Sequence, residues 1–280
     1  MKKNNIIIGL LAIAMIFQAC SGANEETQTE EGEVSKTPQI KGEEVTYSSP
    51  TTEMKGYMAT DVNTEGKRPG VLVVHEWWGH NDYVRKRADM LAEMGYVAIA
   101  VDMYGEGKQA EHPEDAGKFS GQVFENIEEA KARFEAAMKT LKAHPDVDPN
   151  QIAAIGYCFG GSVVLSMANA GYDLDAVAAF HAGVGLPIAP SEDIKAKILV
   201  ANGADDPFVP EEQVQAYKEA MDAVGADYTY ISYPGAVHAY TSPDATALGE
   251  KFDLPLAYNK EADEKSWMEM KELFKSVFQQ

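Results

Sequence analysis

The chain has 280 residues, with 24 Lys+Arg against 44 Asp+Glu, a formal net charge of −20 and 45% hydrophobic residues. The apolar share supports a packed core and excludes disorder throughout. The acidic balance argues against a nucleic-acid reader, which needs a basic face to meet phosphates; it favours solubility and says nothing of fold.

Lys2 and Lys3 precede "IIIGLLAIAMIF" (Ile6 to Phe17), an apolar run too short to span a bilayer. "QAC" follows, with small Ala19 directly before Cys20. The arrangement has the form of a bacterial lipobox, although Phe17 stands where that motif usually carries leucine. Residues 1–19 are therefore expected to be a lipoprotein signal peptide and Cys20 the lipidated first residue of the mature chain. A secretory signal cut nearby, with Cys20 incidental, is the plainer alternative. The expected location is the cell envelope, periplasmic or surface side, with the membrane touched through the lipid anchor only. Residues 20–44 are polar, acidic and free of aromatics, and read as a flexible tether. Residues 45–280 have the size of one domain.

Within that domain strands and helices alternate. "GVLVVHE" (Gly70 to Glu76) is a continuous apolar run, as a parallel strand buried on both faces requires. "NDYVRKRADMLAEMG" has helical spacing and stops at Gly95. "YVAIAVDMYG" is the next strand, and after a polar loop "VFENIEEAKARFEAAMKTLKAH" reads as one long amphipathic helix. "QIAAIGY", "LDAVAAFHAG", "AKILVANG" and "ADYTYISYPG" are further strands. Between them lie helices in "GGSVVLSMANA" and "PEEQVQAYKEAMDAVG", and "EADEKSWMEMKELFKSVF" closes the chain with an apolar stripe at Trp267, Met270, Leu273, Phe274 and Val277. The expectation is a single α/β domain, a mainly parallel sheet with helices on both faces, binding ligands beyond the carboxyl ends of its strands.

The strand ends carry chemistry. "AAIGYCFGGSVVLS" puts Cys158 between Gly156 and Gly160 at the end of a strand, the form of a sharp strand-to-helix turn that presents a nucleophile. The chain has two cysteines, so with Cys20 assigned to lipid, Cys158 has no partner for an intramolecular disulfide and is either deeply buried or used. The next strands deliver Asp205 and Asp206 in "GADDPFVP" and then His238 in "PGAVHAY". Nucleophile, acid and histidine in this order characterise α/β-hydrolases. A thiolate attacks a carbonyl, imidazole moves the proton and a carboxylate fixes the imidazole tautomer. The following helix N-terminus is expected to draw the thiol below its usual pKa of about 8.5. The backbone N–H groups of Phe159 and Trp77, the latter in "HEWWGHND", are the expected oxyanion donors.

On "VVHEWWG", "DMYGEG", "GYCFGG", "GADDPFVP" and "HAYTSPDA…AYNKEADEKSW", the chain from about Val45 onward resembles the dienelactone hydrolase family. The resemblance implies Cys158, His238 and Asp206 as the triad, Asp206 rather than Asp205 being the acid in the family's pattern. It gives Glu76 the role of holding the resting cysteine as a protected thiol; the plainer reading pairs Glu76 with a nearby base. Members acting on dienelactone bind its carboxylate with arginines. Here the segment from Gly105 to Ile127 contains no arginine, only Lys108 and Lys118, and Ser242 occupies the second position. Lysine does not replace a bidentate arginine without loss, so dienelactone itself is not the expected substrate.

Because a thiolate is itself a good leaving group, the chemistry favours lactones and enol or aryl esters, and also thioesters. Acyl transfer shares the same acyl-enzyme, and a non-catalytic binding protein on a hydrolase scaffold is the alternative of another class. No metal or cofactor is expected: no histidine pair has ligand spacing and no glycine-rich phosphate loop follows the first strand. His75 reads as a core histidine, His181 as pocket wall or support, and His80, His112 and His144 as surface residues.

Overall fold

The computed structural model describes residues 37–278. The expected signal peptide, Cys20 and the start of the tether lie outside the described residues. In chain order the elements are β1 (Ile40–Ser48), β2 (Glu53–Asp61), β3 (Arg68–Val74), α1 (Asp82–Glu93), β4 (Val97–Val101), α2 (Pro113–Glu125), α3 (Ile127–Lys142) and β5 (Val147–Tyr157). They continue with α4 (Phe159–Asn169), β6 (Ala176–Phe180), β7 (Lys197–Gly203), α5 (Glu211–Ala223), β8 (Tyr228–Tyr233), α6 (Ala245–Phe252) and α7 (Lys260–Phe278).

The strands form one eight-stranded sheet in the order β1-β2-β4-β3-β5-β6-β7-β8. Neighbours from β4 through β3 to β8 run parallel, while β1–β2 and β2–β4 are antiparallel. Successive side chains of a strand point to opposite faces, so the unbroken apolar runs feed two cores. Val71 and Val73 of β3 join Val84 and Leu91 of α1 and Phe274 of α7 on one face. Leu72 and Val74 join Phe134 of α3, Val163 of α4 and Met221 of α5 on the other. The described residues cluster as one compact unit, and the expected architecture of a mainly parallel sheet covered on both faces is the one observed.

Three local expectations are corrected. The tether expected to reach Glu44 ends earlier, because β1 begins at Ile40 and pairs with β2 along its whole length, Ile40 opposite Asp61 through Ser48 opposite Glu53. Its charged residues Lys41, Glu43 and Glu44 are exposed, and charge is how an edge strand avoids pairing with other chains. Glu43 and Glu44, at the end of the stretch that reads as a tether, thus belong to an edge strand. The long helix expected from Val123 onward is two helices, since α2 starts at Pro113 and the chain breaks at Asn126. Asn126 has φ −120° and ψ 70°, and its side chain accepts from the Glu129 N–H, capping α3. Finally, α6 forms in a stretch to which no element was assigned.

Candidate active site

The turn between β5 and α4 consists of Cys158 alone, at φ 53° and ψ −117°. A non-glycine residue there stores strain on the order of 1–3 kcal/mol, held by flanking bonds: the Cys158 N–H donates to the Phe180 carbonyl at 3.0 Å and the Ser162 N–H to the Cys158 carbonyl at 3.2 Å. The glycines provide the clearance this requires. A Cβ on Gly156 would lie 2.1 Å from the Gly160 carbonyl oxygen, and one on Gly160 would lie 2.3 Å from that of Val74. The turn leaves the thiol half-buried at the floor of a cavity.

The expected partners converge on it. His238, in the loop after β8, places Nε2 3.1 Å from Cys158 Sγ and Nδ1 2.7 Å from Asp206 Oδ2. Asp206, in the loop after β7, is buried and also accepts from the Phe208 N–H at 2.9 Å. Asp205 points away: it is exposed, and its Oδ2 accepts from the Gly235 N–H at 3.1 Å. Burial opposes a charge on His238, but the neighbouring Cys158 and Asp206 outweigh it and raise the imidazole to about 10. Carboxylate and sulfur are therefore arranged to favour a proton on the His238 imidazole between them.

Glu76, directly after β3, is buried beside this group. Burial pushes its carboxyl up to about 7, against the opposing pull of His238 and Arg87. It does not meet the thiol as the resemblance implies. Cys158 Sγ is turned to His238, and Glu76 Oε1 lies 4.0 Å from His181 Nε2 instead.

The cavity above Cys158 has a volume of about 490 Å³, and Trp77, Phe124, Phe159, Phe208, Leu254 and Leu256 supply its apolar wall. Ser120, Ser162 and Gly183 complete the lining, and His238 is its one titratable neighbour of the thiol. Lys108 lines a different cavity, beside Arg133, so it does not stand in for the absent arginines. Phe159, at the first position of α4, has an N–H with no carbonyl to bond within its own helix. Trp77 lies at the same cavity, its carbonyl accepting from the Tyr104 hydroxyl at 2.8 Å. Both expected oxyanion residues therefore line the cavity that holds Cys158.

The model of the dienelactone hydrolase family matches residues 54–278. The chain belongs to that family. It is 30% identical over 231 residues to Protein usf of Aquifex pyrophilus, covering 79% of this chain and 98% of that protein. The solved structure m3DLH is 36% identical with a TM-score of 0.81, covering 85% of this chain and 98% of that one. A dienelactone hydrolase-like promiscuous phosphotriesterase from metagenomic libraries is 32% identical with a TM-score of 0.79, over 85% of this chain and 98% of its own. The protein is a hydrolase of the dienelactone hydrolase type with the α/β-hydrolase fold.

Several residues of this dienelactone hydrolase family member sit otherwise than expected. His80 is buried rather than on the surface, because its loop turns inward: Nε2–H donates to the Ala100 carbonyl at 3.2 Å and Nδ1 accepts from Arg85 at 3.4 Å. His75 is the core histidine expected, its Nε2 accepting from the Met103 N–H at 3.2 Å, and burial lowers it to about 4. His112 is exposed and caps α2, and His144 is partly buried. His181 lies behind His238, fully buried, and does not line the cavity. Phe208, Leu254 and Leu256 lie in loops, where no periodicity marks them in the sequence. The "DDPF" context, one turn from the acid, was the available signal for Phe208. Arg87, buried under the His238 loop, looks in sequence like one more charge on a helix face.

Proposed function

We propose that the protein hydrolyses uncharged, apolar lactones and enol or aryl esters through an acyl-enzyme on Cys158. The observation that carries this reading is the 3.1 Å and 2.7 Å chain from thiol through imidazole to carboxylate at the floor of an apolar cavity. His238 Nε2 takes the thiol proton and Sγ attacks the carbonyl carbon. The oxyanion forms near the Phe159 and Trp77 N–H groups. His238 returns the proton to the leaving oxygen as the C–O bond breaks, leaving a thioester. Water then gives a proton to His238, its oxygen adds to the thioester, and the acid leaves as the thiol is restored. With Cys158 engaged by His238, a thiol-protecting role for Glu76 requires Sγ to rotate away from the imidazole.

Desolvating a substrate carboxylate in this cavity would cost several kcal/mol with no lysine or arginine in its lining to offset it. Neutral aryl esters are accordingly expected to acylate Cys158, seen by intact mass spectrometry and mapped by peptide digestion, and to turn over at least ten times faster than analogues carrying a carboxylate. Acylation elsewhere, or a preference for the carboxylated analogue, would refute the reading. The similarity to a promiscuous phosphotriesterase and the apolar cavity make neutral phosphotriesters a second class for the same assay. Acyl transfer is distinguished by adding an alcohol or amine acceptor and identifying the product.

From the N-terminal sequence, with Lys2 and Lys3, the apolar run Ile6 to Phe17 and Ala19 before Cys20, we also propose an exported lipoprotein anchored through Cys20. Cells fed an alkyne-bearing fatty acid should label the wild-type protein and not Cys20→Ser, and equal labelling of both would remove the anchor.

A further inference from the structure

Behind the triad lies a second imidazole for which the proposed chemistry has no use. His181, at the end of β6, is fully buried with φ 39°, and its ring meets that of His238 edge-on at 5.3 Å. A free basic nitrogen there would compete for the proton that His238 has to keep for the leaving group. The groups facing His181 are Glu76 after β3, Tyr83 and Arg87 on α1, Tyr157 on β5, and His238, Tyr240 and Thr241 after β8.

The hydrogen bonds among them have a direction. Arg87 Nε–H, which can only donate, gives to the Tyr83 hydroxyl at 3.2 Å. The Tyr83 hydroxyl and Thr241 Oγ1 are 2.6 Å apart, and Thr241 Oγ1 is 2.7 Å from His181 Nε2. If Thr241 donated to Tyr83, the phenol would accept from both sides and its own proton would have no acceptor among these groups. The satisfied arrangement runs from Arg87 to Tyr83, from Tyr83 to Thr241 and from Thr241 to His181 Nε2. That nitrogen's lone pair is then occupied and the ring proton sits on Nδ1, which is buried without a hydrogen-bond partner; the reverse direction would leave both Nδ1 and the Tyr83 proton unpaired.

We propose that Tyr83 and Thr241 are positioning residues that hold His181 neutral and protonated at Nδ1, so that of the two adjoining imidazoles only His238 takes up the thiol's proton. Burial, with the charges on His238 and Arg87, also holds His181 well below its ordinary range. Arg87 fixes the other end of the device: Nη2 donates to the Thr241 carbonyl at 2.8 Å and to Asp263 Oδ1 at 2.6 Å, tying the His238 loop to α1 and α7. Without the Thr241 hydroxyl, His181 Nε2 is free to take a proton, 4.0 Å from Glu76 Oε1. A positive His181 would then oppose the charge on His238.

The test is the histidine 15N spectrum of the whole protein, with the His181 signals assigned by their loss in His181→Gln. Wild type is expected to show His181 as the Nδ1–H tautomer, and Thr241→Val to show Nε2–H or an imidazolium. An Nε2–H tautomer or an imidazolium in the wild type overturns the proposal. The second readout rests on the catalytic reading above. For p-nitrophenyl acetate, Thr241→Val should lower kcat/KM at least about fivefold near pH 6 and leave it within about twofold near pH 9, where His181 is neutral in either protein. Thr241→Ser, which keeps the hydroxyl, should follow wild type, and Tyr83→Phe, which keeps the ring on Tyr157, should follow Thr241→Val. A loss equal at both pH values, or shared by Thr241→Ser, overturns the proposal. Absent turnover in wild type would strike the catalytic reading, while the spectrum decides the tautomer alone.

Discussion

Replacing Cys158 with alanine is expected to lower p-nitrophenyl acetate turnover at least about a thousandfold, because removing a nucleophile disables the whole chain that activates it. The cavity and its amides survive the change, so a small residue of catalysis by binding and oxyanion stabilisation should persist above background. Folding should survive as well. Alanine adopts φ 53° no more easily than cysteine, and the 3.0 Å and 3.2 Å backbone bonds that hold the turn do not involve the side chain. The measurement is initial rate alongside an unfolding curve. Retained activity in a folded Cys158→Ala protein would refute the nucleophile, whereas loss of activity with loss of folding would say nothing about chemistry. His238 gives an internal check. The neighbouring thiol helps hold its imidazole up to about 10, so its titration followed by NMR should move down in the alanine variant.

Replacing Glu76 with glutamine is expected to stabilise the protein on the alkaline side. The buried carboxyl is raised from its ordinary 4.5 to about 7, so the folded state binds this proton more tightly than the unfolded state. Stability from this group is therefore complete below about pH 4.5 and falls as pH rises to about 7, after which the penalty is constant. A shift of that size corresponds to about 3 kcal/mol. Glutamine has the same shape and no charge, so Glu76→Gln should gain up to about 3 kcal/mol near pH 8 and almost nothing near pH 4, by urea unfolding. A gain equal at both pH values would trace to hydrogen bonding rather than to charge, and no gain would mean that Arg87 and His238 already neutralise the carboxylate. The same variant tests thiol protection. If Glu76 shields Cys158 at rest, its loss should speed peroxide oxidation of the thiol, and an unchanged rate would end that role. A residue that destabilises its own fold at working pH is a mark of a functional site.

Much of this was legible in the chain itself, for a physical reason. Strands β3, β4, β6 and β7 and the second half of β5 are buried on both faces or nearly so, and their apolar runs stand out along the chain. Because ligands gather at the carboxyl ends of such strands, Cys158, Asp206 and His238 could be placed together before any distance was known. The resemblance separated Asp206 from Asp205, and the bond to His238 agrees with it. The rest was hidden where local pattern and tertiary use diverge. β1 begins with a run of exposed residues, Lys41 to Glu44, and reads as acidic linker. Asn126 breaks a helix without disturbing its apolar period. His80 lies in a polar stretch and is nonetheless buried. The network of Arg87, Tyr83, Thr241 and His181 spans separations of up to 158 residues, which no short window can see.

One further consequence lies in how the cavity wall is tied to the triad. His238 forms an isolated bridge with Leu256, and Asp206 accepts from the Phe208 N–H, so on this side the wall and the reactive groups share one backbone. Helix α2, which contributes Ser120 and Phe124, carries none of the candidate catalytic residues. Adaptation to new substrates is therefore unequally free around the rim. Substitutions on α2 can reshape the cavity without tilting the base, whereas insertions near Leu256 or Phe208 exchange selectivity against turnover. Diversification within the family should concentrate on the α2 side, and directed evolution of this protein would do well to begin there.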